Sequence, residues 1–463
     1  MFEGLAEHCV TALRVGGCAS VSVAVAREDA VVLAEAYGLA DVAEGRPATS
    51  DTAYLLASVT KPITATAVCA AADAGLLDLD DPVEDHLSGV RLPRHRDYGA
   101  PTVRQVLQHR AGFGAHYDFF YADSPAIKPT ARESIERYAT LYREPGSGFE
   151  YSNLGYGILD VVLETVTGQD PATYVRDRVF GPLGLTSCHI GPTYEGPAQE
   201  ALRYSADGRV YPVCDTTHRG ATLAWATASD LAMFGLSQAG GRGILRPGTA
   251  TAMRAALPVN AHLGYGLGWF VSRGSRHTII SHSGSMGGVA TMLAVVPDLR
   301  LAVSVLTNQS GSAVRTAVAG HVMEELVPGF SLDSLPPGLP SERTATIRPG
   351  RWAGHVFTDA GALPLVLRVG AAARVEVELD GEAAQARFGG ASEDWELRLS
   401  VPLQIPTRDA RVNSPSLGLE LNPDHDSCRD GRLVGAARAM RNGEGDGWLG
   451  NFLSHWCELE RQD

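Results

Sequence analysis

Leu55-Leu56-Ala57-Ser58-Val59-Thr60-Lys61-Pro62 carries an apolar extended segment into what reads as the first turn of a helix. Residues three apart share a helix face, so a serine at the start brings its hydroxyl near the amine of a lysine at i+3. Pro62 fits the first turn, where its missing N–H has no partner to lose. The helical pattern runs to about Ala74, and Gly75 supplies the stop. Lys61 stands out by composition, because the 463 residues hold only two lysines, Lys61 and Lys128, and rely on arginine elsewhere. Arginine stays protonated at any working pH, whereas a buried lysine can shed its proton and act as a base. Taken alone, the same four residues also suit a capping serine followed by a surface lysine.

Upstream, residues 2–14 have the spacing of a short amphipathic helix, and Val21 to Ala26 and Ala30 to Ala36 read as paired strands. Downstream, Leu76 to Leu87 reads as a turn and short helix, and Thr102 to His109 as a helix capped by Thr102. A loop follows with Phe113, Tyr117, Phe119, Phe120 and Tyr121, which either anchor it to the core or line a cleft. The small-residue loop from Glu144 to Asn153 leads into a helix over Leu154 to Thr165, with further helices near Pro171 to Arg178 and Ser229 to Ala239. Strands are expected at Tyr265 to Val271, His277 to Ser281, Val289 to Val296 and Leu301 to Thr307, then a helix from Ala313 to Leu326. Strands at both ends with helices between them imply an α+β domain whose one antiparallel sheet is built from distant parts of the chain.

Residues 328–349 are rich in proline and serine and read as a linker between residues 1–327 and 350–463. Beyond it, short alternating segments recur with turns between them: Leu363 to Val369, Ala373 to Leu379, Trp395 to Val401, Leu417 to Leu421, Leu433 to Met440 and His455 to Leu459. That pattern favours a small antiparallel β-barrel.

With 44% hydrophobic and 20% charged residues the chain is globular. A net charge of −14 disfavours nucleic acid or an anionic membrane as partner. Seven scattered cysteines without a C-x-x-C spacing point to reduced thiols in a cytoplasmic protein, with no zinc site, metal or other cofactor expected. Neither a signal peptide nor a membrane-spanning stretch is visible.

A serine nucleophile needs an adjacent base and donors for the oxyanion it creates. Besides Ser58 and Lys61, two stretches offer the missing parts. Tyr151 and Asn153 lie on the glycine-rich loop, and His282-Ser283-Gly284-Ser285 lies at a strand edge where Gly284 permits close approach by a substrate. Singly, Tyr151 reads as a packed tyrosine and His282 as a hydrogen-bonded strand histidine. In order and wide spacing, however, Ser-x-x-Lys, Tyr-x-Asn and His-x-Gly resemble the penicillin-recognising serine hydrolases. That family includes class C β-lactamases, related esterases and D-peptidases, and penicillin-binding-protein-type thioesterases. Val106-Leu107-Gln108-His109, Thr227-Ala228-Ser229-Asp230-Leu231 and Tyr265-Gly266-Leu267-Gly268-Trp269 add to the likeness, which covers about residues 1–327.

The resemblance implies a β-lactamase/transpeptidase-like fold and an acyl-enzyme on Ser58. Lys61 and Tyr151 would share proton transfer, Asn153 would orient the substrate, and the backbone N–H groups of Ser58 and Ser285 would form the oxyanion hole. It leaves open whether Lys61 or Tyr151 is the base. Two departures stand out. His282 occupies the place of a lysine in class C β-lactamases proper, which points to the esterase, peptidase and acyltransferase branches. Arg110-Ala111 replaces small hydroxyl residues before Gly112. The stretch Gly350-Arg351-Trp352-Ala353-Gly354 is similar to a lipocalin-type G-x-W opening, and D-peptidases and peptide-cyclising thioesterases are similar in carrying an appended domain. Three readings follow. The first is a hydrolase of esters, thioesters or D-residue-containing peptides. The second is a thioesterase that releases and cyclises a nonribosomal peptide delivered as a carrier-bound thioester. The third is a catalytically silent binding protein on the same fold.

Overall fold

A computed structural model describes residues 2–462 apart from 241–242, 337–347, 371–373, 389–394, 425–430, 442 and 446. Half of the expected linker and Cys428 therefore lie outside the described residues, as does Ala373 at the start of one expected strand.

Nine strands form one antiparallel sheet: β1 Ser20–Arg27, β2 Ala30–Asp41, β3 Arg46–Pro47, β4 Leu257–Pro258, β5 Leu263–Tyr265, β6 Phe270–Ser272, β7 Ile280–Met286, β8 Val289–Val296 and β9 Leu301–Thr307. Their order is β3-β2-β1-β9-β8-β7-β6-β5-β4, so the first strand pairs with the last, with Val21 opposite Thr307. Both faces are covered. Val21, Val23 and Val25 pack towards the helices Leu5–Gly16 and Ala313–Leu326, while Ala24 and Ala26 join the larger core on the other face. This explains why β1 reads as an apolar run with little alternation: a strand buried on both faces has no solvent side to mark with polar residues.

The expected strand from Tyr265 to Val271 is two strands. Gly266 to Trp269 form a tight turn between β5 and β6, with Gly268 at φ +82° pressed against Ala65 and leaving no room for a Cβ. The strand expected at His277 to Ser281 begins later and runs on through Gly284 to Met286.

The helix Thr60–Asp73 is buried on almost every side, with Thr60 through Cys69 and Ala71 all enclosed. Its small alanine and threonine residues let neighbouring elements close in, as a helix without a polar face requires. Thr102 caps Val103–Leu107 in a reciprocal box with Gln105, as the sequence suggested for this serine/threonine-type start.

Nine further strands make the C-terminal sheet: β10 Gly350–Thr358, β11 Gly361–Val369, β12 Val375–Leu379, β13 Glu382–Gln385, β14 Arg387–Phe388, β15 Leu397–Val401, β16 Ser416–Pro423, β17 Arg432–Met440 and β18 Phe452–Arg461. The order β13-β12-β11-β10-β18-β17-β16-β15-β14 ends on two strands separated only by Ala386. Taken as one interrupted strand, they make this a nearly closed antiparallel barrel. It docks on the aromatic loop: Phe452 and Tyr117 exchange backbone hydrogen bonds of 2.7 and 3.1 Å, and the Phe119 N–H donates to Asn451 Oδ1 at 2.7 Å. No helix among the described residues is long and apolar enough to cross a membrane.

Candidate active site

Ser58 sits in a single 3-10 turn, Ala57–Val59, that feeds the buried helix. Ala57 before it is left-handed, φ +49°. That conformation costs a residue with a Cβ roughly 1–2 kcal/mol, so its surroundings must hold it. The Leu56 N–H donates to Ala224 O at 2.7 Å, Thr291 Oγ1 donates to Leu56 O at 2.6 Å, and Thr60 Oγ1 donates to Ala57 O at 2.6 Å. Gly284 serves this turn. A Cβ there would lie 2.2 Å from both Leu56 O and Thr291 Oγ1, so Gly284 makes a close approach to the chain bearing Ser58. Gly284→Ala is expected to cost about 1–3 kcal/mol, as overpacking of a filled interior does, and to lower the thermal midpoint. An unchanged midpoint would show that the turn yields freely.

Lys61 is fully buried, and its Nζ has three neighbours: Asn153 Oδ1 at 2.6 Å, Ala221 O at 3.1 Å and Ser58 Oγ at 3.2 Å. Burial pushes the amine well below the ordinary lysine value. A neutral amine has two N–H donors and one lone pair. The carbonyl and amide oxygens can only accept, which leaves the lone pair for the Ser58 hydroxyl, a group that can donate. The Ala221 carbonyl is itself fixed from two helices. Asp160, seven residues after Asn153 on the helix Asn153–Thr167, accepts from the Gly220 N–H at 2.8 Å, and Thr64 Oγ1 donates to Gly220 O at 2.7 Å. Burial raises the Asp160 carboxyl to about 7.

Tyr151 lies at the entrance to the same helix, with its ring centroid 4.7 Å from Lys61 Nζ. Burial pushes its phenol above the usual tyrosine range, so it stays protonated. His109 packs on its ring at 4.2 Å and accepts from the Ser152 N–H at 3.2 Å through Nδ1. His282 is buried beside them. It shares hydrogen bonds with Tyr265 OH at 3.2 Å and Ser283 O at 2.8 Å, and its ring centroid lies 6.2 Å from that of Tyr151. Burial and the nearby Lys61 push it down to about 3, so it is a neutral imidazole where a lysine would place a charge. Sequence reasoning used His109 and Tyr265 only as marks of likeness, yet His109 packs on the Tyr151 ring and Tyr265 packs in turn on His109 and His282. Ala221 and Asp160 carried no signal at all, because their role depends on contacts far along the chain.

Ser58, Tyr151, Asn153 and Ser285 line one cleft of about 550 Å³, whose other walls include Tyr117 and Phe119. Both expectations for the aromatic loop hold, since Phe113 packs in the main core while Tyr117 and Phe119 face the cleft. The barrel contributes Glu444 and Leu449 to the same cleft. Glu444 accepts from Tyr211 OH at 2.6 Å and the Ala206 N–H at 2.8 Å. Arg110, the departure noted in the sequence, ties its loop down by donating to Gly146 O and Pro258 O. A cavity of about 650 Å³ opens behind the Gly220 turn, but none of these cleft groups faces it.

An α+β domain presenting a serine against a buried lysine is the architecture of a serine hydrolase of the penicillin-recognising type. Residues 6–327 match the family described as Beta-lactamase, and the chain belongs to that family, whose members are serine hydrolases. It is 27% identical over 301 residues to penicillin-binding protein 4* of Bacillus subtilis (strain 168), a match covering 59% of this chain and 64% of that protein. It is 37% identical over 203 residues to esterase EstB of Burkholderia gladioli, covering 41% of this chain and 50% of that one. The chain thus spans less than two thirds of the length of these curated relatives. The crystal structure of SurE with D-Leu shares the fold at 22% identity, with a TM-score of 0.64 over 98% of both chains.

Proposed function

We propose that the chain is a serine acyl-enzyme hydrolase or acyltransferase acting on esters, thioesters or D-residue-containing peptides. The observation that carries this reading is the 3.2 Å contact between Ser58 Oγ and a fully buried Lys61 whose other two partners can only accept. In this reading Lys61 takes the serine proton as Ser58 attacks the carbonyl carbon. The Ser58 and Ser285 N–H groups receive the oxyanion, and Asn153 orients the substrate. Tyr151, protonated at rest, passes a proton to the leaving group. That division favours Lys61 over a tyrosinate as base. His282 leaves the cleft without the charge a lysine would bring, which suits an acyl group lacking a carboxylate at that point. Intact motifs speak against a silent binding protein.

One observation favours the second reading, a thioesterase that releases and cyclises a carrier-bound peptide. The likeness to SurE, crystallised with a D-amino acid, extends over the barrel, and the barrel supplies part of the cleft wall. A wall there would hold water away from an acyl-enzyme and favour an internal amine as the second nucleophile. Incubation with a linear peptidyl thioester ending in a D-residue, followed by intact-mass analysis, should give a cyclic product. Exclusive formation of linear acid would return the assignment to hydrolysis. The free thiols of all six described cysteines support placement in a reducing compartment, the cytoplasm.

A further inference from the structure

His116, Asp118 and His218 meet inside the protein with one ligating atom each, all within 4.8 Å of one another. None is more than 3% exposed. His116 and Asp118 lie on the aromatic loop, and His218 precedes the Gly220–Ala221 turn, about a hundred residues further on. The spacings are informative. His116 Nε2 stands 3.7 Å from Asp118 Oδ2, and His218 Nε2 stands 3.5 Å from Asp118 Oδ1. Both are too long for good hydrogen bonds, which fall near 2.7–3.2 Å. They are close to the separation of about 3.3 Å between two ligands of a tetrahedral ion with bonds near 2.0–2.1 Å.

The polar accounting points the same way. Both ring nitrogens of His116 are buried without a hydrogen-bond partner, a condition that asks for an explanation in a folded protein. Asp118 accepts from the Thr217 N–H at 2.9 Å and Thr217 Oγ1 at 2.6 Å, yet no lysine or arginine pairs with it among the described residues. A buried carboxylate needs a counter-charge. His218 Nε2 takes a bond from the Asp118 N–H at 3.2 Å, at the long end of the range, and a metal–nitrogen bond would replace it.

We propose that His116, Asp118 and His218 form a binding site for one divalent cation of the zinc class. Two imidazoles and a carboxylate suit that ion, and its fourth position would be left to water. The cation would act as a clamp. It would join the aromatic loop, which lines the cleft and carries the barrel, to the turn whose Ala221 carbonyl receives the Lys61 amine. It is a positioning site, and no reaction step runs through it.

The test uses the full chain without an affinity tag, stripped with EDTA and titrated with Co²⁺ and then Zn²⁺. The expected result is one Co²⁺ per chain with a visible d–d band, displacement by Zn²⁺, and a higher thermal midpoint with Zn²⁺ than in EDTA. His116→Gln and Asp118→Asn should weaken binding by roughly 100-fold or more, beyond the effect of losing an outer partner. Absence of both the band and the midpoint shift in the unaltered protein would overturn the site. Because that arm needs no variant, it decides even if the substitutions fail to fold. The stacked pair His8 and His321, with ring centroids 4.2 Å apart, is the control. Binding lost in His321→Gln but kept in His116→Gln would also overturn the proposal.

Discussion

Ser58→Ala is expected to abolish labelling by a fluorophosphonate probe and to lower ester turnover by about 10⁶-fold, the scale seen when a nucleophile is removed and only binding and the oxyanion hole remain. The fold should not change. Ser58 is partly exposed at the cleft, its hydroxyl is not needed to hold Ala57 in its left-handed turn, and the helix behind it is secured by Thr60 and Thr291. The thermal midpoint of the variant should therefore match the parent. Labelling that persists in Ser58→Ala would remove Ser58 from the chemistry altogether.

Lys61→Arg should lose about 10²–10⁴-fold in turnover, the usual contribution of a positioned base, because arginine cannot give up its proton. The pocket also offers a guanidinium three groups arranged around a single nitrogen, Asn153 Oδ1, Ala221 O and Ser58 Oγ, and no carboxylate. A permanent buried charge there should lower stability too. Lys61→Met separates the two effects, since it removes the base without burying a charge and should be inactive but folded. The pH profile supplies a further check. The free amine is the active form, so activity of the parent should fall as pH drops through the lysine's value in the folded protein. Burial puts that limb well below the ordinary lysine range. Near-normal turnover of Lys61→Arg, or an acid limb unchanged in it, would refute the role of base.

Much of this was legible because the signals were local. Ser58 and Lys61 lie one helical turn apart, the Gly75 stop follows the end of the helix at Asp73, and Ala313–Leu326 begins and ends where its pattern does. Tyr151 and Asn153 could be tied to them only by likeness in order and spacing, since nothing in their own loop shows that it folds against Lys61. The break between β5 and β6 was hidden by apolar residues on both sides of two glycines. Its cause, a missing Cβ beside Ala65, is a contact with a helix far earlier in the chain. Gly284 was recognised as a position of close approach, but that the carbonyl of Leu56 lies against it is contained in no reading of its neighbours. The His116, Asp118 and His218 cluster lacks any metal-motif spacing because its members come from two loops.

The pairing of β1 with β9 has a consequence for how the protein comes into being. Val21 must wait for Thr307 before its strand is enclosed on both edges, and Leu56 must wait for Thr291 before the turn at Ser58 is held. Contacts between such distant positions make folding slow, because the loop-closing entropy is spent before any pairing rewards it. Ser58 and Lys61 precede in the chain the distant groups that order them, with Asn153, Ala221, Thr291 and β9 lying about 90 to 250 residues further on. A chain ending before β9 would hold Ser58 and Lys61 without the sheet that fixes their turn, so their arrangement depends on the sheet being complete.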